Sequence, residues 1–218
     1  RRYTVKLSLM CLFGMRVMED KRILPHKIFL EDYRGDYKRY IDAVYAVFER
    51  DFIRHKTRFG SHKLNLKYNP LFQDRAYTFY HITHTGEVES ERIPDLRRCE
   101  CMPWARPTIE NVSNWQLKFW KQKRQNSSNR VCICLENEKD VDYFLVLEVR
   151  VTYLLLWTAF VSERSHEKAK KMKEYQAWVE TNDNKKYTPD SLIKEIQQTL
   201  KARSASKDAP VTPSTHGC

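Results

Sequence analysis

The sequence predicts an α+β fold: an antiparallel sheet of about four strands, with a helix before it and two helices after it. Three observations carry this. Between Asp36 and Phe52 apolar residues recur three and four positions apart. Between Val131 and Val161 three short apolar runs follow one another across polar turns. Beyond Glu163 come two charged segments with helical spacing. A chain of 218 residues is long enough for one well-packed core with a small appendage.

The elements follow in order. Residues 5–18 are apolar enough for a strand or a helix, and the pattern does not separate the two. After the EDYRGD turn, Asp36 is placed to cap a helix, and Tyr37, Tyr40, Ile41, Val44, Phe48 and Phe52 make its apolar stripe. Residues 54–62 form a basic loop, and LNLKY (64–68) reads as a short strand. TFYHITH (78–84) is aromatic and β-branched, and reads as a strand ended by Gly86. Residues 92–129 hold Pro94, Pro103, Pro107, Trp104, Trp115 and Trp120 with little periodicity, which predicts a long loop with one short helix near 113–123. VCICL (131–135), YFLVLEV (143–149) and TYLLLWTAFV (152–161) predict an antiparallel meander. A helix is expected over 163–180, and a second is capped by Thr188 with Pro189 at its first position. From Ser204 the chain lacks core-forming residues and is expected to be disordered. The division is therefore a single domain over 1–180, a helical appendage over 181–203 and a tail over 204–218.

The formal charge of +11 and a pI of about 9.3 favour a polyanionic partner. Over half of that charge sits between Arg92 and Arg130, where nine basic residues face three acidic ones. So concentrated a patch argues for a site, although a solvated basic face gives the same count. Cys99 and Cys101, then Cys132 and Cys134, are spaced C-x-C, not as zinc knuckles are. They read as reduced, mostly buried thiols, with neither metal nor cofactor expected. The opening RRYTVKLSLMCLFGMRVMED imitates a signal peptide but has no small-x-small cleavage site. No segment approaches the roughly 20 apolar residues that span a bilayer. No membrane partner is expected, and the protein reads as cytoplasmic.

The residues able to do chemistry lie between Tyr77 and Val161. His81 and His84 flank the end of the first predicted central strand and in a regular strand point to opposite faces, so which one enters a cleft stays open. Arg97 and Arg98 offer forks for phosphate oxygens, with Arg106 beyond them, and the indole of Trp104 offers a stacking surface for a base. The same arginines have acidic neighbours with which they could staple the loop. Lys121, Lys123 and Arg124 end the Trp115–Trp120 segment, as a phosphate-contacting rim or a solvated edge. Thr158 sits late in the last strand. Strict alternation puts it with Leu154, Leu156 and Phe160, without telling which side lines a cleft. Histidine, arginine, lysine and threonine suffice to break RNA, whose 2′-hydroxyl is its own nucleophile.

FYHITHTG, then RIPDLRRCECMPWARPTIEN (92–111), then RVCICL, YFLVLEVR, YLLLWTAFV and a lysine-rich helix resemble a phage- and prophage-encoded protein group. That group is placed near the barnase/EndoU/colicin E5–D/RelE assembly of metal-independent RNases. The resemblance covers about residues 64–180. It implies a cleft with an early histidine, central basic residues and a hydroxyl on the last strand: His81 as base or acid, Arg98 with Lys123 or Arg124 as phosphate grips, and Thr158 orienting the phosphate. Phe160 stands where the group carries tyrosine, and QNSSN (125–129) stands where it carries a tighter glycine turn.

The function expected is a metal-independent endoribonuclease of toxin or phage-warfare type, leaving a 2′,3′-cyclic phosphate. Its partners would be RNA, of the tRNA or mRNA class, and a protein inhibitor or antitoxin. One alternative is a non-catalytic module that binds nucleic acid or protein on the same scaffold. Another is an ADP-ribosyltransferase, against which stands the placing of Glu148 on a sheet strand beside Val146.

Overall fold

Helix α1 (Tyr37–Phe48) begins where Asp36 accepts a hydrogen bond from the backbone N–H of Arg39 at 3.1 Å. Its stripe of Tyr40, Ile41, Val44 and Phe48 is buried, and the chain continues as a π-helical turn to Arg54 that carries Phe52 inward. The structure, a computed structural model, is described for residues 22–86, 88–123, 129–137, 141–162, 165–183 and 185–207. Residues 5–18 lie outside it.

A short hairpin follows, β1 (Arg58–Phe59) with β2 (His62–Asn65). Next come helix α2 (Tyr77–Thr83) and a small pair, β3 (His84–Thr85) with β4 (Ile93–Pro94). Helices α3 (Leu96–Glu100) and α4 (Met102–Glu110) lead to β5 (Lys118–Gln122). β6 (Arg130–Leu135), β7 (Asp142–Val149) and β8 (Leu154–Ser162) complete the predicted meander, antiparallel throughout. Helices α5 (Ser165–Thr181) and α6 (Pro189–Lys207) close the described chain.

The fold is α+β, and its sheet has six strands in the order β1-β2-β8-β7-β6-β5. It is mixed, because β2 runs parallel to β8 with Leu64 opposite Leu154. The expected sheet of about four strands, all antiparallel, is therefore corrected: an N-terminal hairpin extends it beyond β8.

Two further expectations are overturned. TFYHITH is a helix, not a strand. Every residue from Tyr77 to Thr83 except His81 is buried, so the run has no two-residue alternation to hold it in a sheet. Thr83 satisfies its hydroxyl on the Phe79 carbonyl one turn back at 2.7 Å, a bond that only a helix offers. The segment expected to be helical near 113–123 ends in strand β5. Lys118, Trp120 and Gln122 alternate with Phe119 and Lys121, and the Trp115–Phe119 spacing imitates a helical stripe. The helices of this region lie earlier, where Asp95 caps α3 and Pro103 occupies the first turn of α4, with Pro107 inside the same helix.

Apolar layers cover both faces of the sheet. On one face Ile133, Leu145, Leu147, Leu156 and Ala159 meet α1, α4 and the α6 side chains Leu192, Ile193 and Ile196. The segment expected as an appendage thus helps to build the main core, and α6 runs to Lys207, inside the segment expected to be disordered. Residues beyond it lie outside the description. On the other face Trp120, Cys132, Cys134, Phe144 and Val146 meet Met172, Tyr175 and Trp178 of α5. Cys99 and Cys101 belong to the first layer, so the two C-x-C pairs are separated by the sheet. Among the described residues no helix is long and apolar enough to cross a membrane.

Candidate functional site

β2 pairs with β8 only through Leu64–Leu154 and Asn65–Leu155. Past Leu155 the edge of β8 is lined by α2 and α3, and this brings the residues of both helices to the strand. β8 then breaks its alternation. Leu156 lies opposite Leu147 and Thr158 opposite Val146, so Trp157 is the extra residue of a β-bulge. Strict alternation grouped Thr158 with Leu154 and Leu156, and the bulge corrects that. Those leucines join the larger core, whereas Thr158 shares the α5 face with Val146 and Phe160. Trp157 meets the His81 ring at 5.1 Å between centroids and the Arg130 guanidinium at 4.3 Å.

A cavity of about 530 Å³ opens at this bulge. His81, Arg92, Arg98, Arg130 and Lys171 line it, with Thr85, Thr158 and Gln122 as neutral polar groups and Val146, Trp157 and Phe160 as apolar wall. A second cavity of about 590 Å³ shares Thr85, Arg98, Phe160 and Lys171 with the first and adds Arg97 and Lys170. The first carries only basic residues among its titratable lining, the arrangement that holds an anion, whereas the second also includes the carboxylates of Asp95 and Glu167.

Arg98 is fixed before any ligand arrives. Its Nε donates to Asp95 at 2.9 Å and Nη1 donates to the His84 carbonyl at 3.2 Å, while Asp95 also caps α3. A guanidinium has five N–H donors, so others remain to face the cavity. The Nε of Arg92 is buried and has no partner among the described residues.

His81 is the histidine of the cleft. Burial pushes its pKa down to about 4, and the charges of Arg92 and Arg98 add to this, against the hydrogen bond to the Trp157 carbonyl. Nδ1 is buried without a hydrogen-bond partner among the described residues. His84 lines neither cavity. It is buried beside the Tyr80 ring at 4.4 Å and bonds the Thr83 hydroxyl at 2.9 Å, with its pKa also lowered to about 4, chiefly by burial.

Both histidines bind protons more readily in the unfolded chain, whose imidazoles titrate near 6.5. Stability is then full above about pH 6.5 and drains as pH falls toward 4. The melting temperature is expected to drop over that interval, with a shallower drop in the double variant His81→Gln/His84→Gln. A pH-independent melting temperature would contradict the assignment.

The other candidates divide. Arg97 lines the second cavity beside Arg98. Trp104 is only 4 % exposed and donates its indole N–H to the Pro25 carbonyl at 2.8 Å, so no base can stack on it. Arg106 is tied to Glu110 at 3.0 Å and to buried Asp51 at 3.6 Å, and lines neither cavity. Lys121 shares its face of β5 with Phe119, which packs on the larger core, and Lys123 is exposed just past the strand. Neither reaches the cavity wall. These four are corrections, for two reasons: Trp104 and Arg106 lie on α4 where a loop was expected, and Lys121 and Lys123 lie on or just past β5 where a helix was expected. Arg124 lies outside the described residues. Glu148 is held between Arg150 at 2.5 Å and Arg130 at 3.7 Å, also outside the cavity wall.

Sequence reasoning missed Arg92, Gln122, Arg130 and Lys171. Gln122 was legible only once β5 is a strand, since alternation then sets it with buried Trp120. Lys171 carried no signal beyond its helix. No protein-family model, curated protein or solved structure matches the chain.

Proposed function

We propose that the cavity at the β8 bulge binds a phosphodiester of RNA and that the protein is a metal-independent endoribonuclease acting in the cytoplasm. What carries the reading is that His81, Arg92, Arg98 and Thr158 line one cavity. Neutral His81 takes the proton of the 2′-hydroxyl, and Nδ1, which lacks a partner among the described residues, is the nitrogen placed to accept it. The oxygen attacks the neighbouring phosphorus to form a 2′,3′-cyclic phosphate, and the 5′-oxygen departs with a proton from the ammonium of Lys171. An ammonium, unlike a guanidinium, can release a proton, and Lys171 is later reprotonated from His81 through water. Arg92 and Arg98 meet the charge that develops on the phosphorane oxygens, and Thr158 donates its hydroxyl to one of them. The resemblance to the barnase/EndoU/colicin E5–D/RelE group supports the same chemistry, and with it a protein inhibitor or antitoxin as partner.

One observation favours a second reading. The Nδ1 of His81 is closed to solvent as the ring stands, which suits a module that binds RNA without cutting it. Incubation of the protein with total RNA in EDTA separates the two. The nuclease reading expects fragmentation, lost in His81→Gln. Intact RNA at high protein concentration, with retention of the RNA on the protein, would favour the binding module.

A further inference from the structure

Gln122, the last residue of β5, is 1 % exposed, and its carboxamide oxygen is buried with no hydrogen-bond partner among the described residues. Proteins rarely leave a buried acceptor unpaired, because its lost hydration is not returned by another bond. This one sits in the wall of the cationic cavity, in a wall it shares with the apolar surfaces of Val146, Trp157 and Phe160. A phosphate alone would use the arginines and leave both the apolar wall and the amide idle. A nucleotide uses all of them: a flat base against the aromatic wall, a polar base edge toward the amide, and a phosphate toward the cations.

The geometry points to Gln122 as the residue that reads the nucleobase of the bound nucleotide, making the site base-selective. This rests on the reading of the cavity as an RNA phosphodiester site and adds to it the identity of the adjoining base. A carboxamide presents one acceptor and one donor side by side, so exchanging its oxygen and nitrogen leaves the assignment unchanged. Bases differ in the order of donors and acceptors along their edges, and an unpaired buried amide penalises those that do not complement it.

The test uses short homo-oligonucleotides of A, C, G and U carrying 2′-O-methyl groups, which block the attacking oxygen and leave a pure binding readout. The full chain is expected to separate its best from its worst base by about 10-fold in Kd. Gln122→Leu should remove that preference, read as the ratio of the four Kd values falling to near one. It should also melt no lower than the parent, because an unsatisfied polar group has been taken out of the interior. Gln122→Met serves the same purpose where leucine prevents folding. Equal binding of all four bases by the parent, or an unchanged preference in either variant, overturns the inference and leaves the phosphodiester site standing. Absence of binding to every oligonucleotide overturns both.

Discussion

Replacing Arg98 by alanine is expected to slow RNA cleavage by about 100- to 1,000-fold, the loss that follows removal of one preorganised donor to a developing oxyanion. Arg98 is held on Asp95 and on the His84 carbonyl, so its guanidinium needs no reorganisation when charge appears on the phosphorane. The α3 cap survives the substitution, because Asp95 Oδ1 accepts from the backbone N–H of residue 98, which alanine retains. Far-ultraviolet circular dichroism and the melting temperature should thus stay near those of the parent while the rate collapses. Arg98→Lys keeps the charge but loses the fork, and is expected to recover only part of the rate. A rate within about twofold of the parent for Arg98→Ala would remove Arg98 from the site.

Phe48→Ala is expected to cost about 3–5 kcal/mol, the usual loss for emptying a phenylalanine site in a tight core. Phe48 is fully enclosed, with the rings of Phe52 and Phe79 each at 5.4 Å and Tyr45 at 5.9 Å. For a chain of this size that loss corresponds to a fall in melting temperature of roughly 6–20 °C. Phe79 belongs to α2, the helix that carries His81, so the cavity also weakens the support of the site. Urea titration measures the loss, and a cost below about 1 kcal/mol would mean that neighbouring rings collapse into the vacancy.

Much of the fold was legible because α1, the meander and α6 each show one period over a long enough run. The Tyr40–Phe52 stripe and the Thr188–Pro189 start could be read directly from residue types and spacing. TFYHITH could not, since a seven-residue run buried on nearly every side has no polar face to betray its period. β5 misled because Trp115, Phe119 and Trp120 imitate a helical stripe in a segment whose strand is only five residues long. The hairpin that joins β8 in parallel depends on contacts about 90 residues apart in the chain, which local pattern cannot encode.

The site was legible in part. His81, Arg98 and Thr158 share the cavity, yet they reach it by a route the sequence did not indicate. His81 comes from a helix that lies along the edge of β8, and the bulge at Trp157 gives Thr158 its face. A bulge has no signature in one strand read alone, because it is a property of the pairing. The misplaced candidates Trp104, Arg106, Lys121 and Lys123 came from reading 92–129 as one loop free to fold over the cleft. In the fold, residues 96–122 form α3, α4 and β5, which fix Trp104 and Arg106 on partners of their own and turn Lys121 away from the cavity wall.

The most direct measurement of the central claim follows a short ribo-oligonucleotide with the protein in EDTA, beside the same oligonucleotide carrying one 2′-deoxy sugar at the cleaved position. Mass spectrometry should find a 2′,3′-cyclic phosphate on the upstream product of the first and no cleavage at the substituted position of the second. Cleavage at the deoxy position, or a product ending in a 3′-hydroxyl, would contradict attack by the 2′-oxygen and with it the role assigned to His81.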